Sequence, residues 1–110
     1  MAELLYVSLD VQDAIKAIEK EVVWGSISGE CIDKYIIELP EKGQLAMMVY
    51  EKHYMRTHNR LSLTVTLDDF TGKTRVHCVS GGGGELLGFD WGSSEGFESV
   101  VAKALKKWRI

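Results

Sequence analysis

Histidine titrates nearest neutral pH and is the commonest zinc ligand, so chemistry is sought first at His53 and His77. Their setting depends on the run Leu61-Ser62-Leu63-Thr64-Val65-Thr66-Leu67. Its strict alternation reads as a strand with one apolar and one polar face. Pairing Arg56 with Leu61 and Asp68 with Lys73 puts Leu63, Val65, Val76 and Cys78 on the core face with Tyr50 and Tyr54. The other face then carries Glu51, His53, Ser62, Thr64, Thr66, Arg75 and His77. In this register one cross-strand row is His53, Thr64, His77, and the next is Glu51, Thr66, Arg75. A slip of one residue would exchange the faces and destroy both rows.

The spacing works against a metal. Histidines on strands two apart are separated by about 9.6 Å, whereas zinc holds nitrogen at about 2.0–2.1 Å and usually takes a third protein ligand. Glu51 pairs more naturally with Arg75. A solvated or partner-covered polar sheet face is therefore expected, with no metal, no cofactor and no catalytic residue. Asp68-Asp69 reads as a turn pair, because adjacent side chains on an extended chain diverge. His58 falls in the expected hairpin loop.

The second chemical candidate is glycine. Six of the twelve residues from Gly81 to Gly92 are glycine, four of them consecutive. Successive N–H groups without side chains can form an anion nest. No G-x-x-x-x-G-K-[ST] or strand–G-x-G-x-x-G–helix pattern is present, and Glu85 and Asp90 repel phosphate. The structural reading is a close crossing that a Cβ would block, anchored by Phe89 and Trp91. A flap closing over a ligand is a third reading, with Gly81, Gly82, Gly83, Gly84, Asp90 and Trp91 as its ligand-binding residues.

These residues are positioned by elements that the sequence also marks. Leu4 to Leu9 reads as a short strand or an extended lead-in. Asp10 is a helix N-cap, followed by Val11, Ala14, Ile15, Ile18 and Val22 at steps of three and four, with Gln12, Lys16, Glu19 and Lys20 outward and an end near Val23. Strands are expected over Asp33–Leu39, Leu45–Arg56, Leu61–Leu67 and Lys73–Ser80, with a turn at Pro40-Glu41-Lys42-Gly43. A last helix runs from about Ser94 to Arg109, and its basic C-terminal residues complement the helix dipole. The expected fold is a two-layer α+β sandwich over residues 1–110, a single domain. It has an antiparallel sheet of four to five strands, with the N-terminal and C-terminal helices packed on one face.

Composition narrows the classes. A net charge of −3 disfavours a nucleic-acid binder. No apolar run approaches the about 18 residues that span a bilayer, and no signal peptide is apparent, so no membrane role and a cytoplasmic location are expected. Cys31 and Cys78 read as free thiols, at least one in the core.

The segments Tyr50-Glu51-Lys52-His53-Tyr54, Arg56, Asn59 to Thr66, and Gly81 to Gly84 with Phe89-Asp90-Trp91-Gly92 resemble a bacterial family of small single-domain proteins of unknown function. The resemblance covers nearly the whole chain and implies a bacterial, cytoplasmic, stand-alone domain with no assigned activity. The first functional expectation is a non-enzymatic binding or protein-interaction module, with a homodimer as one form it could take. The alternative is a small-molecule or anion binder using residues 81–92 as pocket wall or lid. An enzyme using His53 or His77 with Glu51 ranks last.

Overall fold

In the computed structural model, which describes residues 2–24, 29–54, 59–82 and 100–110, the Asp10 carboxylate accepts the Asp13 N–H at 2.8 Å and starts helix α1, Val11–Glu19. The α-helical stretch ends earlier than the stripe predicts. It continues as a wider π turn, Lys20–Trp24, that still buries Val22 beneath the same stripe.

Five strands form one antiparallel sheet: β1 Ala2–Val7, β2 Glu30–Leu39, β3 Gly43–Tyr54, β4 Asn59–Asp68 and β5 Thr74–Gly82, in the order β1-β5-β4-β3-β2. Both readings of the first segment resolve to an edge strand. Helix α2 is described over residues 100–105 and tightens into a 3-10 turn, Lys106–Trp108. The helix expected to reach Arg109 therefore stops short. Trp108 O accepts the Ser8 N–H at 2.8 Å, and the Ile110 N–H donates to Tyr6 O at 3.0 Å, so residues 108–110 run along the outer edge of β1. The chain is α+β, a five-stranded antiparallel sheet with two helices.

One apolar cluster gathers the stripe of α1, Val101 and Leu105 of α2, and alternate residues of four strands, among them Leu5, Met48, Tyr50, Leu63, Val65 and Val76. Cys78 is buried in it and Cys31 is exposed, and neither is in a disulfide. The β2–β3 turn places Glu41 at φ +65° and Gly43 at φ +126°, where glycine avoids a steric cost.

Candidate functional site

The faces expected for β4 and β5 hold, but the register does not. Leu61 faces Lys52, four residues earlier than expected, and Asp68 faces Arg75, two residues later than expected. Both slips are even, so each side chain keeps its face while every row changes. The physical cause lies at the turn end of the sheet. Arg75 donates from Nε and Nη2 to the two Asp68 carboxylate oxygens at 3.0 and 3.2 Å, and the Asp68 carboxylate also accepts the Phe70 N–H. Asp69 takes the Gln44 N–H on its side chain and donates its own N–H to Gln44 O. These contacts hold β3, β4 and β5 in line, and the two adjacent aspartates go to different partners, as a turn pair should.

His77 consequently lies in the row Met47–Thr66–His77–Leu4, whereas His53 faces Arg60. Six residues of β3 separate Met47 from His53, about 20 Å along the strand. Glu51 faces Ser62, and Arg75 sits in the row Leu45–Asp68–Arg75–Tyr6. The two expected rows are thus replaced, and His53, His77 and Glu51 do not converge on one point. Thr64 lies between Val49 and Val79.

Gly81 and Gly82 belong to β5, facing Ser62 and Leu61, so the glycine run begins inside the sheet. A Cβ built on Gly81 meets only Ser62 Oγ, at 3.7 Å, an ordinary contact. The close crossing expected of the run is not required at that position. Gly83, Gly84, Asp90 and Trp91 lie outside the described residues, as does His58.

The face away from the core is not the polar surface that β4 and β5 suggest. Its median strip is polar, with Thr64, Thr66, Asp68, Arg75 and His77, but its margins are apolar. Leu4, Tyr6 and Val79 lie on one side, and Tyr35, Ile37 and Leu39 of β2 on the other; all six are exposed. Leu45, Met47 and Val49 of β3 extend the second margin and are only half-buried.

A cluster that sequence reading missed sits at the β2–β3 border. Lys34 Nζ contacts a Glu19 carboxylate oxygen at 2.8 Å, and Cys31 faces the buried Tyr50 across the strands. The Tyr50 hydroxyl donates to Met48 Sδ at 3.1 Å. Burial, and then the Glu19 charge, hold this phenol well above the usual tyrosine range. Burial also pushes the Cys31 thiol up, and Glu19 adds to the effect against the opposing pull of Lys34. The Lys34–Glu19 ion pair in this cluster links β2 to α1. Glu19 reads as outward from the helical period alone; only the neighbouring strand shows its role.

The raised phenol carries a pH prediction. An unfolded tyrosine titrates near about 10. The folded phenol holds its proton more tightly, so its contribution is intact below that pH and drains away as pH rises above it. Alkaline unfolding followed at 295 nm should move to higher pH in Tyr50→Phe, on the order of half a unit. An unchanged midpoint would remove Tyr50 from this role.

Open clefts lie at the turn end, two of them of about 360 and 350 Å³. Asp10, Asp69, Lys73 and Thr74 line the first; Glu38, Glu41, Gln44 and Asp69 line the second. Both include Asp69 of the expected turn pair, and neither includes His53, His77 or a residue of the glycine run. Among the described residues, no helix is long and apolar enough to cross a membrane.

Fold and surface together define a small α+β protein with a five-stranded antiparallel sheet. The family model that matches residues 1–109 is that of the family of unknown function DUF6054, and the chain belongs to this family. No curated protein and no solved structure matches the chain.

Proposed function

We propose that the chain is a non-enzymatic protein-interaction module. In this reading it is a two-layer sandwich, with both helices packed on one sheet face and the other face serving as the binding surface. The observation that carries it is the pair of apolar margins on that face, with Leu4 50% exposed on one and Tyr35 56% exposed on the other. Contiguous exposed apolar surface on a soluble domain marks a contact site more often than isolated exposed leucines do. The polar median of threonine, histidine and arginine supplies orientation and hydrogen bonds, as polar groups do beside apolar anchors at interfaces.

A site-specific photo-crosslinker at Tyr35 or Val79 tests this reading in cells. It should give one adduct of defined mass that is lost when Leu4→Lys is added, while a crosslinker at the exposed Lys16 on α1 gives none. Equal adducts from both positions would sink the reading.

A further inference from the structure

The two edges of the sheet are treated differently. The outer edge of β1 is paired by residues 108–110 along Tyr6 to Ser8. The outer edge of β2 has no neighbouring strand among the described residues, and all ten of its residues are exposed. An edge strand presents alternate N–H and C=O groups to any incoming strand, and an exposed apolar edge is a template for pairing. Here Ile32, Tyr35, Ile36, Ile37 and Leu39 are the exposed apolar residues.

Resting on the interaction-module reading, we propose that the partner at this edge is a second copy of the chain: two β2 strands pair antiparallel about a two-fold axis at Ile36 and join two sheets into one of ten strands. The register follows from three constraints. A two-fold axis normal to the sheet keeps outer faces together, so it must pass through a residue rather than between residues. A bulge between Cys31 and Asp33 and the proline at Pro40 bound the regular run Asp33–Leu39, whose middle residue is Ile36. Charge then selects among the centres. Centring on Ile36 sets Lys34 opposite Glu38 of the other copy, twice. Centring on Lys34 sets that lysine against itself and Glu30 against Glu38, and centring on Asp33 opposes two aspartates. Centring on Tyr35 or Ile37 sets a glutamate or lysine against isoleucine.

The same register puts Tyr35 opposite Ile37 of the other copy on the outer face and Ile36 against its own equivalent on the reverse face. The apolar β2–β3 margins of both copies, with Met47 and Val49 behind Tyr35, then meet in the middle of the joined sheet. Lys34 remains within reach of Glu19, so each lysine lies between two carboxylates.

Sedimentation of the full chain across micromolar concentrations tests the proposal. The wild-type chain should show a monomer–dimer equilibrium. Glu38→Lys sets lysine against Lys34 twice and should raise the dimer Kd about tenfold. The double variant Lys34→Glu/Glu38→Lys restores opposite charges and should recover the wild-type Kd, with thermal unfolding checked for each chain. Ile36→Cys in a Cys31→Ser background should form a disulfide-linked dimer on mild oxidation, and Tyr35→Cys in that background should not, because only position 36 faces itself. A chain monomeric throughout, or a dimer indifferent to the charge changes, overturns the proposal. If that dimer is instead dissolved by Val79→Lys, the edge inference fails while the interaction reading stands on the outer face.

Discussion

Gly43→Ala is expected to lower stability by about 3 kcal/mol, seen as a fall in Tm of about 12–15 °C. Two costs combine. At φ +126° an L-residue is strained, on the order of 1–3 kcal/mol. The new Cβ would also collide with Asp69 Oδ1, and Phe70 Cδ1 lies only 3.2 Å away. Asp69 cannot retreat without releasing the Gln44 N–H that it accepts at 2.8 Å. Gly72→Ala is the control. Its φ of +92° carries strain, but nothing lies within 4 Å of its Cβ, so only about 1–2 kcal/mol should be lost. A cycle with Asp69→Ala separates strain from collision. The double variant should lose less than the sum of the singles, whereas simple additivity would assign the whole effect to backbone strain.

Leu63→Ala should cost about 3–4 kcal/mol, with a lower denaturation midpoint and an unchanged urea m-value. Leu63 is fully buried on β4, a strand with neighbours on both sides, so truncation leaves a cavity that the surrounding sheet closes poorly. Its neighbour Thr64 lies on the outer face between Val49 and Val79, and Thr64→Ala should cost about 0.5 kcal/mol or less. Equal costs at the two positions would mean that both faces are packed, leaving no free outer surface.

Local signals in the sequence are strong where one turn or one strand settles the matter by itself. Asp10 caps α1 because its carboxylate needs only the N–H three residues on, and the burial of Val11, Ala14, Ile15 and Ile18 follows from helical period alone. The divergence of Asp68 and Asp69 and the turn ending at Gly43 are legible for the same reason. The candidate site was less legible. Arg75 reads as the partner of Glu51, but the structure gives it Asp68, because a buried carboxylate directly opposite it in the same row offers two oxygens to the guanidinium fork. The outer face reads as polar because the clearest strands, β4 and β5, form its median. Its apolar margins come from β1, β2, β3 and Val79 of β5, and no local pattern reveals the positions of β1, β2 and β3 in the sheet.

By itself the sequence determined which side of each central strand faces the core, since alternation has a period of two and survives any even slip. It also determined the α1 stripe and pointed to cysteines outside any disulfide. Only the tertiary structure decided the rows, the burial of Tyr50 beside Glu19, and the contrast between a β1 edge lined by residues 108–110 and a β2 edge with no neighbouring strand among the described residues. Those depend on contacts between segments distant in the chain. Asp69 with Gln44, and Ser8 with Trp108, hold the rows and the β1 edge through one or two hydrogen bonds that leave no periodic trace in the residues around them.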